Sequence, residues 1–418
     1  MKKMFFAAAL CVVSNALLAQ NELDPVTVVS SLKPLNATST GRNIFVLQGD
    51  DIAKLPVKSL DELLRYIPGV EVQQRGAMGS QSDFTIRGGT FQQVLVVVDG
   101  VRLNDPNTGH FSCYIPVLPD EIEKIEVLKG TSSALYGSDA VGGVINITTK
   151  VFAKKQVAKK GFKAAVSGGN FGSFNASASS IFSAKNTALQ IAANTNNTDG
   201  EQQRGIKGFV HNSAVAVAIN HNYKNWNVAL RSSYDDRYFA AQNYYTNFVS
   251  DTAKEKVKSF WNQFSATYQK NKNQLALLAG FKNVEDNFQF NNVGVANSSF
   301  SNLYQAGLQY THSYSAKTFV TSGLQFISRN ISSNDRGKHT VSQMAAFAML
   351  QHSFTNNFWT NASLRYDKNN VVDGVVIPQL NLSYKQKALL LRASVGTSFR
   401  YADFTELYNN YNKALVTS

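Results

Sequence analysis

The chain has 418 residues, 44% of them hydrophobic, 11% aromatic and 17% charged. That apolar share is enough to build a packed interior and excludes an intrinsically disordered chain. The formal net charge of +13 is scattered along the whole length, with no basic helix or zinc motif. It therefore speaks against nucleic-acid binding and for solvated turns and attraction to an anionic surface.

In chain order, Lys2 and Lys3 precede an apolar run from Met4 to Val13 and small residues up to Ala19-Gln20. Residues 1–20 read as a secretory signal peptide whose apolar part is too short to span a membrane. Cys11, preceded by Leu10, leaves a lipid-anchored cysteine open as an alternative. Without the signal only Cys113 remains, so the mature chain forms no internal disulfide, and no His–Asn/Asp partner set marks that thiol as a nucleophile. No later segment is a run of about 18 apolar residues, so a membrane form of this chain has to be a barrel.

Residues 21–43 are a linker in which Asp24, Pro25, Val26, Thr27, Val28, Val29 and Ser30 form an extended, β-branched stretch kept out of helix by the proline. From 44 to 150 helix and strand signals mix. Ser59 with Glu62 is a capping box, and Leu60, Leu63, Leu64 and Ile67 follow at helical spacing until Pro68-Gly69. Phe84–Asp105 reads FTIRGGTFQQVLVVVDGVRLND, two short apolar strands joined at Arg87-Gly88-Gly89 and closed by Asp99-Gly100. Ile122, Ile125, Val127 and Leu128 are a further buried run. Thr131–Tyr136 is a short helix stopped by Gly137, and Gly142-Gly143 opens a last strand. The unit is a compact α/β domain.

From Phe162 the period becomes two, in segments of about ten residues separated by Asn-, Ser-, Lys- and Gly-rich turns. Val215, Val217 and Ile219 share one face and Ala214, Ala216 and Ala218 the other; Tyr304, Ala306, Leu308 and Tyr310 alternate with Gln305, Gly307 and Gln309. Aromatic residues gather near strand ends, at Trp226, Tyr244-Tyr245, Trp261, Phe358-Trp359 and Tyr366. Girdles at the two interfaces of a membrane barrel produce this pattern, and it favours a barrel over a secreted sandwich. The six histidines have no H-E-x-x-H context and no G-x-S-x-G is present, so no enzyme is expected.

The segments FTIRGG, VLVVVDGVRLND and IEKIEVLKGTSSALYGSDAVGGVINITTK, with DPVTVVSS ahead of them and SVGTSFRYADFTELYNNY near the end, resemble the plug, energy-coupling box and barrel of TonB-dependent outer-membrane receptors. The resemblance implies a small α/β plug at 44–150 inside a transmembrane antiparallel β-barrel of about 22 strands, in the outer membrane of a Gram-negative cell. It implies that Arg87, Asp99 and Arg102 lie at the plug–wall junction, and that Gly88, Gly89, Gly100, Gly130, Gly137, Gly142 and Gly143, with Tyr136, complete the plug signature. Residues 24–30 would add as a strand to a TonB-type periplasmic energy transducer. Arg75, Gln81, Asn107 and His110, in the loops 73–82 and 104–113, would face outside and touch ligand.

The function so implied is energy-coupled uptake of a scarce metal complex, of the cobalamin or ferric siderophore class; a passive pore or adhesin is the alternative. No resident cofactor is implied. A surface lipoprotein is a further possible partner. In place of the calcium-binding carboxylates of cobalamin-type members, the turn at 195–203 is rich in Asn, so the Asp235-Asp236 pair does not promise a strong calcium site. Residues 151–418 are long enough for about a dozen strands at roughly ten residues each. The chain is thus expected to be the N-terminal part of a longer receptor, a fragment with an open sheet and no transport of its own.

Overall fold

The structure is a computed structural model that describes residues 27–28, 35–153 and 160–408. The expected signal peptide, and Asp24, Pro25, Val26, Val29 and Ser30 of the coupling segment, lie outside these residues. Thr27–Val28 (β1) pairs antiparallel with Leu35–Asn36 (β2), Thr27 opposite Asn36. The segment that follows docks on the wall, where the Ser383 hydroxyl donates to the Thr38 carbonyl.

The plug is built on strands β3 (Asn43–Gln48), β4 (Val70–Gln74), β5 (Ser82–Ile86), β6 (Val94–Val98), β7 (Val101–Arg102), β8 (Ile122–Lys129) and β9 (Gly143–Thr149). Five of them form a sheet in the order β3-β8-β9-β6-β7, and β4 and β5 pair apart from it. Only β6 and β9 run parallel, since the helix Ser133–Tyr136 and β8 lie between them in sequence. The helix Leu60–Leu64 is capped as the sequence predicts, with Ser59 Oγ accepting from Glu62 N at 3.5 Å, although the Glu62 carboxylate reaches back to Lys58 N at 2.8 Å instead of to Ser59. Leu60, Leu63, Leu64 and Ile67 are all buried, against Ile86, Val96 and Ile145.

Two parts of the predicted signature have clear causes. A Cβ on Gly143 would stand 2.5 Å from the Leu128 carbonyl oxygen and 2.8 Å from Ile86 Cδ1, so β9 can lie against β8 only with glycine there. Asp99, with φ +51° in the β6–β7 turn, accepts from Thr149 N at 2.7 Å and from Thr149 Oγ1 at 2.8 Å, tying the turn to the end of β9. Burial pushes its carboxyl up from 3.8 to about 6, against the pull of Thr149 and Arg231.

The wall begins with β10 (Gly161–Gly168), β11 (Phe174–Ala184), β12 (Thr187–Thr198), β13 (Val210–Tyr223) and β14 (Trp226–Ala240). It continues through β15 (Lys254–Lys270), β16 (Asn273–Gln289), β17 (Asn297–Ser313), β18 (Thr318–Ser333) and β19 (Gly337–Thr355). The last strands are β20 (Phe358–Asn369), β21 (Val375–Gln386) and β22 (Leu389–Gly396). All 13 lie in chain order in one antiparallel sheet, and among the described residues β10 and β22 do not pair with each other. The expected dozen or so strands and open sheet are present. One rim carries tight turns, at 185–186, 224–225, 271–272, 314–317, 356–357 and 387–388; the other carries the loops 169–173, 199–209, 241–253, 290–296, 334–336 and 370–374. Short turns mark the periplasmic rim and longer loops the outer one.

Val215, Val217 and Ile219 point outward while Ala216 and Ala218 are buried on the plug side. Two of the aromatic positions depart from the expected girdle. Trp261 points into the lumen and packs in the plug core, because its neighbour Phe260 takes the outward parity. Tyr244 sits in the outer loop 241–253, packed on Phe239 beneath it.

The raised carboxyl of Asp99 makes a pH signature. A carboxyl with a folded value near 6 and an unfolded value near 3.8 stabilises the fold fully below the lower value and loses that contribution as pH rises through the upper one. Asp99→Asn, which keeps an acceptor for Thr149, is expected to flatten the fall in unfolding midpoint between pH 4 and 7. Equal slopes for wild type and variant in a urea titration would contradict it.

Candidate functional site: plug apex and plug–wall contacts

At the outer end of the plug, Arg75 donates from Nε and Nη2 to Asp83 Oδ2 at 3.1 and 2.7 Å, and from Nη1 to the Tyr244 carbonyl of the wall loop at 2.6 Å. His110 Nδ1 lies 2.7 Å from the other Asp83 oxygen. Its ring stacks on Phe91 with centroids 4.0 Å apart and meets the edge of Tyr245 at 5.6 Å. Burial opposes ionisation of Asp83, but His110 and then Arg75 outweigh it and hold the carboxyl below its ordinary value.

The four predicted contact residues are all brought to this apex, in two different settings. The side chains of Arg75 and His110 keep 29% and 18% of their surface open. Gln81 and Asn107 are 0% and 1% exposed. Gln81 accepts from the Tyr245 hydroxyl at 2.7 Å. The Asn107 carbonyl accepts from Thr405 N and Oγ1 at 2.9 and 2.7 Å, which docks the helix Phe404–Tyr408 on the plug. These two frame the apex from beneath. The residues that sequence reasoning missed are Phe91, Asp83 and Tyr245; the Tyr-Tyr pair in an outer loop was the available signal for the last.

Cys113 is packed between the apex and the wall, and burial pushes its thiol up to about 12, as an inert thiol requires. Asp235 faces the lumen, where Arg237 grips both its oxygens at 2.6 and 2.9 Å, while Asp236 alternates to the outward side. Among the described residues no three His, Cys, Asp or Glu side chains converge as a metal site.

Below the apex the plug is held to the wall through buried charges. Arg231 of β14 donates from Nη1 to Glu121 Oε1 at 2.6 Å and from Nη2 to the Pro116 carbonyl at 2.8 Å, both charged side chains being 1% exposed. Lys282 of β16 lies 3.2 Å from Asp105 and donates to the Leu103 carbonyl at 3.2 Å. Gln305 of β17 accepts from Arg102 N at 3.1 Å and donates to its carbonyl at 2.7 Å, and Gln379 of β21 accepts from Arg42 at 2.5 Å and donates to Thr131 O at 2.8 Å.

Of the signature residues, Arg102 meets the wall and also pairs with Asp139 at 2.6 Å. Gly137, φ +84°, lets Arg365 of β20 approach to 2.8 Å from where a Cβ would stand. Asp99 makes its direct bonds within the plug. Arg87 is exposed on the plug surface, its guanidinium lying over Gly130, and Gly88 has open space around it and serves only its turn at φ +69°.

A family model described as TonB-dependent Receptor Plug Domain matches residues 36–144, and one described as TonB dependent receptor-like, beta-barrel matches 158–417. The chain belongs to the TonB-dependent receptor family. That family consists of outer-membrane receptors and transporters. The chain is 26% identical over 431 residues to a vitamin B12 transporter BtuB of Photobacterium profundum, covering 98% of this chain and 68% of that protein. It is 26% identical over 419 residues to a BtuB of Vibrio cholerae, covering 94% and 66%. A BtuB of Vibrio vulnificus matches more closely but locally, at 45% over 104 residues. The chain thus spans about two thirds of the curated relatives it matches along its length. Its fold resembles the siderophore receptor PirA of Acinetobacter baumannii, with a TM-score of 0.70 at 18% identity over 86% of this chain and 61% of that one. The ferric enterobactin receptor PfeA of Pseudomonas aeruginosa gives 0.71 at 16%, over 88% and 64%. No helix among the described residues is long and apolar enough to cross a membrane; the crossing elements are strands.

The Glu121–Arg231 pair gives a direct test of how the plug is held. Arg231→Met leaves a buried carboxylate unpaired and is expected to cost about 3–5 kcal/mol, whereas Arg231→Met combined with Glu121→Leu should recover most of it. Urea unfolding in detergent, followed through tryptophan fluorescence, reads the difference; equal losses in the single and double variants would refute the assignment.

Proposed function

We propose that this chain belongs to a receptor that takes up a scarce metal complex, of the cobalamin or ferric siderophore class, across the outer membrane with energy supplied by a TonB-type periplasmic transducer. The observation that carries the reading is a folded plug pinned inside the wall by buried charges, with a cationic and aromatic apex of Arg75, His110, Phe91 and Tyr245 open beneath the outer loops. A passive pore has no use for such a plug. The names of the relatives, vitamin B12 transporters and ferric siderophore receptors, support the same ligand class.

In this reading the solute sits on the apex, and Asp83 holds Arg75 and His110 in place to receive it. Equilibrium binding of cyanocobalamin and of ferric catecholate and hydroxamate chelates to the complete receptor to which this chain belongs separates the candidates. Binding of one, weakened at least about tenfold by Arg75→Ala, is the expected result. Absence of binding to all of them overturns the ligand class.

The coupling segment 24–30 contributes through its backbone, as strand addition requires. Its β1 edge is paired with β2 in the resting chain, so the transducer must exchange for Leu35–Asn36. In the complete receptor to which this chain belongs, expressed in a receptor-deficient cell, Val28→Pro is expected to abolish energised uptake while ligand binding stays unchanged. Retained uptake would remove the segment from the mechanism.

A further inference from the structure

The two rims of the wall differ in charge as well as in loop length. Successive hairpins are neighbours in the sheet, so the short turns stand side by side, about 10 Å apart at two strand spacings. Five of the six carry one lysine each, Lys185, Lys224, Lys272, Lys317 and Lys387, and none carries an acid. The opposite loops hold five acids, Asp199, Glu201, Asp251, Asp335 and Asp373, against the three bases Arg204, Lys207 and Arg336. Among the described residues none of the five rim lysines pairs with a carboxylate: Lys272 donates to the Tyr314 carbonyl at 3.3 Å, and Lys224 lies 5.3 Å from the centre of the Tyr223 ring.

Turn geometry does not ask for lysine here. Lys185, Lys224 and Lys387 hold φ of +44°, +50° and +51°, each as the first residue of a two-residue turn. That left-handed region suits Asn, Asp and Gly, and strains a side chain such as lysine. Three turns therefore carry a residue that fits them poorly, and its charge is the property left to account for it.

The neighbours of these lysines identify the occupant. On the outward face beside the rim stand Tyr223, Trp226, Tyr314 and Phe354, all exposed. His221, His312 and His352 lie two residues before three of these rings, with Nδ1 on Thr187, Asn273 and Thr318 at 2.8, 2.7 and 2.8 Å. Aromatic rings at a strand end mark the boundary between hydrocarbon and headgroups, and a lysine just beyond it reaches the phosphate layer on its flexible stem.

We infer that the turn rim is a docking surface for anionic phospholipid headgroups in the periplasmic leaflet, with the five lysines as a spaced row of phosphate contacts. The surface needs the barrel in a bilayer but no transported solute, so it stands apart from the uptake reading. Native mass spectrometry of the folded chain in mixed micelles with equal phosphatidylglycerol and phosphatidylcholine tests it.

Wild type is expected to retain phosphatidylglycerol in preference. The variant K185N/K224N/K272N/K317N/K387N should lose at least about tenfold of that occupancy with phosphatidylcholine unchanged. Because asparagine suits the left-handed positions, the variant's Tm should match or exceed that of wild type, which separates lost binding from lost folding. R204N/K207N on the opposite rim should change nothing. Equal retention of the two lipids by wild type, or undiminished phosphatidylglycerol on the five-fold variant, overturns the proposal. So does a variant that loses binding of acidic cell-wall peptides while keeping the lipid, since the rim would then face the cell wall.

Discussion

A strand in hydrocarbon has no water to satisfy its backbone, so every wall strand must pair along its length and present two unlike faces. The rest of the molecule depends on that constraint. The outward faces meet lipid through Val, Leu, Phe and Tyr. The inward faces cannot be apolar over a wide lumen, and carry Arg231, Lys282, Gln263, Gln305 and Gln379, which find their partners on the plug. The plug is in this sense the second half of the wall's hydrogen-bonding arrangement. Its own carboxylates Glu121 and Asp105 and the carbonyls of Val98, Leu103 and Thr131 complete it.

The same arrangement divides the plug into a held body and an accessible end. Below, buried ion pairs and side-chain amides from β14 to β21 fix its position. Buried pairs of this kind contribute more to specifying one arrangement than to net stability, since the cost of desolvating the charges offsets most of their attraction. A plug held by such contacts can be moved when they are exchanged for water, which an apolar interface would not allow. Above, the apex is braced differently. Asp83 anchors Arg75 and His110 while Gln81 and Asn107 are covered by loop 241–253 and the helix Phe404–Tyr408, so open and structural polar groups are separated within a few residues of one another.

Much of the architecture was legible in the sequence. The capped helix at Leu60–Leu64, the glycine-marked strand joints of the plug and the period-two pattern of the wall all follow from local rules of propensity and alternation, which do not depend on distant contacts. The side a strand presents to lipid was also readable where one face is aliphatic and the other small, as in Val215 to Ile219. It was not readable at Phe260-Trp261, where consecutive aromatic residues fit either parity and only the plug core against Trp261 decides.

Pairing across the chain was beyond sequence reasoning for a physical reason. Glu121 and Arg231 stand 110 residues apart, and Arg102 and Gln305 stand 203 apart; nothing local to either partner distinguishes it from a solvated charge or amide. The sequence by itself determined the element types and the domain order, because these depend on neighbours along the chain. The tertiary structure alone decided which apex groups remain open, which charges become latches and how the turn lysines fall into one row, because burial and adjacency are properties of the assembled sheet.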